Sequence, residues 1–116
     1  INDTYGHQVG DTCLAMLGEQ LNKIIKDKDA YALRYGGEEF LLYFDNITKD
    51  ELRSLAEQLR ETMEGIRITV PGGNKMSYTI SAGLAMAKGD ISYNELINEA
   101  DKALYRAKKT RNTVSF

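Results

Sequence analysis

A single cysteine, Cys13, leaves no internal disulfide and no cysteine-rich zinc site. That usage suits a reducing compartment, and a cytoplasmic location is the expectation. There is one proline in 116 residues, so a proline-rich or collagen-like chain is excluded. No apolar run approaches the roughly 20 residues of a membrane-spanning helix. The polar opening Ile1-Asn2-Asp3-Thr4-Tyr5-Gly6-His7 does not read as a signal peptide. An excess of either charge is also missing. The formal net charge of −2 gives no overall field for nucleic acid or an anionic membrane, so neither is an expected partner. A nearly balanced total still leaves room for a local anion site. What remains is 42% hydrophobic and 28% charged, enough for one folded domain over residues 1–116.

Along the chain the signals alternate. Leu14, Leu17, Leu21, Ile24 and Ile25 form an apolar stripe that predicts a helix from about 11 to 26, with Asp11 able to cap its start. Gly18 sits inside that helix, where close packing against a neighbour is the simple explanation. Two strand-like runs, 31–35 and 39–44, flank Gly36, Gly37 and Glu38, and predict a tight β-hairpin. Thr48-Lys49-Asp50-Glu51 has the form of a capping box and opens a second helix, with Leu52, Leu55, Ala56, Leu59 and Met63 on its apolar face and Gly65 at its end. Strands are expected over 66–70 and 76–87 around the turn Pro71-Gly72-Gly73-Asn74. Ser92-Tyr93-Asn94-Glu95 is a second box, opening a third helix, and 114–116 reads as a short edge strand. Helices between antiparallel pairs predict an α+β fold, a mostly antiparallel sheet flanked by helices.

Three stretches carry groups suited to chemistry. At the hairpin, Glu38 and Glu39 are adjacent carboxylates beside two glycines. Such a pair repels itself unless solvent or a cation relieves it, and hard oxygen donors favour Mg²⁺ or Mn²⁺. A solvated acidic hairpin tip is the plain alternative. In the second stretch, Asn2, His7 and Asp11 lie on a glycine-shaped segment leading into a helix. Asn and Asp can read the donor–acceptor edge of a base, and Asp11 can equally serve as a helix cap. In the third, Arg106, Lys108, Lys109 and Arg111 end the last helix. Cations there suit either the helix dipole or phosphate oxygens.

Together these stretches resemble the GGDEF family of diguanylate cyclases. The resemblance rests on Asn2-Asp3-x-x-Gly6-His7-x-x-Gly10-Asp11-x-x-Leu14 and on Arg34-Tyr35-Gly36-Gly37-Glu38-Glu39-Phe40. It extends through Thr79-Ile80-Ser81-Ala82-Gly83 and Ala100-Asp101-x-Ala103-Leu104-Tyr105-x-Ala107-Lys108, in order and over essentially the whole chain. It implies a nucleotidyl-cyclase, palm-like fold. It also implies condensation of two GTP molecules into cyclic di-GMP, with release of pyrophosphate, across a homodimer. Asn2, His7 and Asp11 would line the guanine site, Gly36 and Gly37 would make room for the nucleotide, and Glu38 would act on the attacking hydroxyl. Glu38 and Glu39 would hold Mg²⁺ (or Mn²⁺), and Lys108 and Arg111 would grip the terminal phosphates. A sensor domain would lie upstream in the full protein, which could itself be membrane-anchored. The alternative is a degenerate module that binds GTP or a protein partner as a regulator.

The chain departs from the family pattern in three places. Family members begin with a strand bearing a metal-binding Asp and a phosphate loop, and this chain opens after both. It is therefore expected to be a fragment lacking a central strand, making no product alone. Lys26-Asp27-Lys28-Asp29 is separated from Gly36 by six residues and has no Arg, so product inhibition through the family's Arg-x-x-Asp site is not expected. The usual Gly before the final Arg-Asn is absent, and Lys108 to Arg111 is one residue short.

Overall fold

The computed structural model describes residues 7–36, 39–70 and 72–116, with side chains given except at 7–9 and 34–36. Its element order is α1 (His7–Ile25), β1 (Ala30–Gly36), β2 (Glu39–Phe44), α2 (Lys49–Gly65), β3 (Arg67–Thr69), β4 (Lys75–Ser77), β5 (Ala82–Gly83), α3 (Tyr93–Thr110) and β6 (Val114–Ser115). This is the α+β succession of helices and short strands that the residue pattern predicts. The chain groups into two compact units, Ile1–Ile47 with Ile68–Met76, and Thr48–Arg67 with Ser77–Phe116. Among the described residues no helix is long and apolar enough to cross a membrane.

In the first unit, α1 begins earlier than expected. Asp11 lies one turn inside the helix, exposed, and does not cap it. Gly10, which suggested a loop, is helical and buried. The stripe that reaches the core is Cys13, Leu17 and Leu21, while Leu14, Ile24 and Ile25 are half-buried. Removing a Leu side chain from water in this way stabilises by about 2 kcal/mol. Gly18 is not a close-packing position, since a Cβ there would meet nothing within 4 Å.

The hairpin pairs antiparallel, from Ala30↔Phe44 to Arg34↔Phe40, and α1 packs against β1. Tyr31 and Tyr43 face each other across it with rings stacked 5.4 Å apart. Gly36 belongs to β1 rather than to the turn, and the register slips between Arg34 and Gly36. Tyr35 is thus the extra residue of a β-bulge, a local twist that re-aims the strand end.

At the turn between β3 and β4, Gly72 and Gly73 take φ of 101° and 89°. Left-handed backbone of this kind strains any residue with a Cβ, which is why two glycines stand there. The turn closes through Val70 N–H to Asn74 C=O (2.8 Å) and Gly73 N–H to Val70 C=O (3.0 Å).

The second unit starts with a complete capping box. Thr48 Oγ1 accepts from Glu51 N–H, and Glu51 Oε1 accepts from Thr48 N–H, each at 3.1 Å. The hydrogen bond from the Thr48 backbone, with that to its side chain, holds the Glu51 carboxyl below its ordinary value. At α3, Ser92 Oγ accepts from Glu95 N–H at 3.2 Å. Leu59 and Met63 of α2 and Ala103 and Ala107 of α3 are buried. The strand expected over 76–87 is instead two: β4, which pairs with β3, and the two-residue β5. β5 pairs in parallel with β6, Ala82↔Val114 and Gly83↔Ser115, and a ladder can run no further than its shorter partner. The described strands therefore form three two-stranded sheets, not one continuous sheet. At Gly83 the strand lies directly on helix backbone, because a Cβ there would overlap Leu104 N and Ala100 O of α3.

Candidate functional site

The first candidate group belongs to the first unit. Glu39 opens β2, is half-buried, and its backbone is paired with Gly36 across the bulged end of the hairpin. Backbone pairing thus fixes where the carboxylate-bearing end of the strand lies. Asn2, Gly37 and Glu38 lie outside the described residues. His7 is the first residue of α1, and Asp11 is an exposed residue of its second turn. Because α1 already includes Asp11, the capping explanation of this carboxylate fails, and the side chain faces solvent. Among the described residues no three His, Cys, Asp or Glu side chains converge as a ready-made metal site. The donor set at the hairpin end is nevertheless of the right kind for a hard cation. Mg²⁺ is commonly held by one or two protein carboxylates, with water and substrate phosphates completing its shell.

The second group belongs to the second unit, at the C-terminus of α3. Arg106 donates to the Phe116 carbonyl (2.7 Å), and Lys109 Nζ lies 5.2 Å from the centre of the Tyr105 ring. Lys108 is exposed on the last turn of the helix, where its charge complements the dipole. Arg111 is the C-cap residue, exposed, with its N–H donating to Ala107 C=O at 2.8 Å. Lys108 and Arg111 are three positions apart, about one helical turn, so they start from the same side of α3.

Arg111 stands at φ 60°, ψ 169°, and Asn112 follows at φ 47°. Asn tolerates positive φ, but the Arg111 conformation is one that glycine alone adopts readily, and it costs about 1–3 kcal/mol in other residues. The glycine missing from the expected pattern is missed here in physical terms. Its place at the helix end is taken by a strained arginine.

That strain is balanced by contacts which sequence reasoning did not find. Thr113 Oγ1 donates to Arg111 C=O (2.9 Å), and Thr110 Oγ1 lies 3.2 Å from Thr113 Oγ1. Asn112 Oδ1 accepts from Arg60 of α2 (3.2 Å), and Asn112 Nδ2 donates to Glu64 Oε2. Arg60 is partly buried and also meets Glu57 (3.2 Å), Glu61 (3.6 Å) and Glu64 (3.9 Å). The hydrogen bond to Glu57, with the three carboxylates, binds the Arg60 proton more firmly than usual, against the effect of burial. The sequence signal for this network is the spacing of Glu57, Arg60 and Glu64 on one helical face.

The hairpin signature and the cationic helix end can be compared with known proteins. The family described as "Diguanylate cyclase, GGDEF domain" matches residues 1–113. The diguanylate cyclase DosC of Escherichia coli K12 is 36% identical over 109 residues, covering 94% of this chain and 24% of its own length. Diguanylate cyclase A of Treponema denticola is 37% identical over 117 residues, covering 99% of this chain and 31% of its own length. The chain thus spans only a quarter to a third of these relatives. Among solved structures, the GGDEF domain of DgcB from Caulobacter crescentus, in complex with c-di-GMP, superposes with a TM-score of 0.91 at 29% identity. That match covers 98% of this chain and 68% of the other. The active GGEEF domain of a diguanylate cyclase from Vibrio cholerae superposes at 0.81 with 30% identity, covering 99% and 72%. With a family match over nearly its full length, the chain belongs to the GGDEF domain family.

Proposed function

We propose that this chain carries the nucleotide site of a diguanylate cyclase, which condenses two GTP molecules into cyclic di-GMP. The observation that carries the reading is the bulged β1–β2 hairpin with Gly36-Gly37-Glu38-Glu39-Phe40 at its end. The Vibrio cholerae relative described as active is named for the same five letters, and the DgcB structure holds c-di-GMP. Both support the assignment.

In this reading the Asp11 carboxylate accepts from the N–H edge of guanine, the Asn2 amide donates to a guanine acceptor, and His7 lines that side. The exposure of Asp11 one turn inside α1 supports the role, since the helix does not use it as a cap. Gly36 and Gly37 let the nucleotide approach the backbone. Glu38 and Glu39 would hold Mg²⁺ (or Mn²⁺), which when bound supplies positive charge to the phosphate oxygens. Glu38 takes the proton of the 3′-hydroxyl as that oxygen attacks the α-phosphorus of the other GTP. The bond to the β-phosphate oxygen breaks, and pyrophosphate leaves with its electron pair. Lys108 and Arg111 grip the departing phosphates and stabilise their growing charge. Two reciprocal attacks close the ring and release two pyrophosphates. One nucleotide per site then requires two copies facing each other, a homodimer formed under the control of a sensor elsewhere in the protein.

Calorimetry with GTP on the full protein tests this, with and without Mg²⁺, alongside chromatography of the products. Magnesium-dependent GTP uptake and cyclic di-GMP are expected. Absence of uptake would overturn the assignment, whereas uptake without product would leave a GTP-binding regulatory module in its place.

A further inference from the structure

The turn that follows α3 is fastened to α2 by one side chain. Asn112 presents an acceptor to Arg60 and a donor to Glu64, residues 52 and 48 positions away in sequence. An amide used at both ends has a single satisfied orientation. Its acceptor-side partner is itself immobilised, since Arg60 donates from Nε to Glu57 (3.2 Å) and ion-pairs with Glu61 and Glu64. Immediately before Asn112 stands Arg111, in a backbone conformation that its own Cβ opposes. A residue keeps such a conformation only where its surroundings over-determine it. Here they do so on both sides: Ala107 C=O holds the Arg111 N–H, and the Asn112 staple holds the next residue.

We propose that Arg60, Glu64 and Asn112 form a positioning device for the phosphate-gripping end of α3. They set the direction in which Arg111 leaves the helix, and so the contact it makes with the terminal phosphates of the nucleotide. These residues act through Arg111, not on the nucleotide itself. The proposal rests on the phosphate role given to Arg111 above. Its logic is preorganisation. A long cationic side chain loses less freedom on binding when its backbone is already fixed.

The test measures affinity in the full protein for two ligands, 3′-deoxy-GTP and GMP. The first lacks the attacking hydroxyl and keeps all three phosphates; the second keeps guanine and ribose but lacks the terminal phosphates. Arg111→Ala is expected to weaken 3′-deoxy-GTP about tenfold, with GMP unchanged. Asn112→Gly accepts positive φ without the staple and is expected to weaken 3′-deoxy-GTP at least about threefold, again sparing GMP. Combined with Arg111→Ala, it should add no further loss. Asn112→Ala should behave alike, and if it fails to fold the glycine variant carries the test alone. Should Asn112→Gly lower thermal stability yet bind both ligands as the unaltered protein does, the network is only structural and the proposal is overturned. Additive losses in the double variant would overturn it too. If Arg111→Ala itself leaves 3′-deoxy-GTP binding intact, the phosphate role of Arg111 fails first, and the positioning proposal with it.

Discussion

At the end of β1–β2 the chain is arranged by its backbone, with a ladder, a bulge and the Gly36↔Glu39 pairing fixing where the carboxylates begin. At the end of α3 it is arranged by side chains. Asn112, Thr110 and Thr113 keep two residues at positive φ, of which one is an arginine. The hairpin runs with the preferences of its residues, and the helix end runs against them. A region of the first kind can be read locally, because neighbours in sequence make it. A region of the second kind depends on partners elsewhere in the chain, and a single distant substitution can disturb it.

The comparison can be pressed hardest at the hairpin. Glu38→Ala in the full protein is expected to lower cyclic di-GMP formation by about 10²-fold or more, with folding unchanged, as removal of a proton-accepting or charge-positioning group does. Product formation from GTP and thermal unfolding, measured side by side, check it. An equally large loss of stability would mean that the carboxylate serves the fold.

Backbone arrangement is tested next at two glycines, Gly83 in the second unit and Gly18 in the first. Gly83→Ala places a methyl group inside the Leu104 and Ala100 backbone and should destabilise by about 2–3 kcal/mol in denaturant titration. Gly18→Ala, with open space around it, should stabilise by up to about 1 kcal/mol. Opposite signs at two glycines would separate a packing requirement from a helix defect.

Arg111→Gly sharpens the contrast directly. Relief of the left-handed backbone should raise stability by about 1 kcal/mol, while affinity for 3′-deoxy-GTP falls. A variant that gained neither stability nor lost affinity would remove the distinction between the two regions.

The smallest effect concerns the start of α2. The capping box holds the Glu51 carboxyl below its unfolded value, so its contribution is present above that value and is lost as pH falls through the folded one. Glu51→Gln should therefore flatten the acid limb of the stability profile, measured by urea titration at several pH values. An unchanged limb would show that the box does not titrate with the fold.

Much of this was legible from residues alone, and the exceptions have a common cause. Thr48 and Ser92 announce helix starts because a cap bonds to residues three positions on. The hairpin is equally local. The start of α1 was misplaced because Gly10 and Asp11 have strong local meanings, a loop and a cap, that the helix overrides. The segment 76–87 looked like one strand because alternation says nothing about how long the partner is, and β6 offers β5 only two residues. The staple at Asn112 was invisible for the plainest reason: its partners lie about 50 positions away. The candidate carboxylates and cations were named from their motifs, whereas what holds Arg111 in place was not.

The burial of Cys13 has a practical side. It is the sole thiol of the chain, fully covered within α1, and the second unit contains none. An alkylating reagent therefore reacts only when the first unit opens, at a rate set by how often it does. The sequence thus comes with its own chemical clock, which times the breathing of one half of the chain without any probe having to be installed.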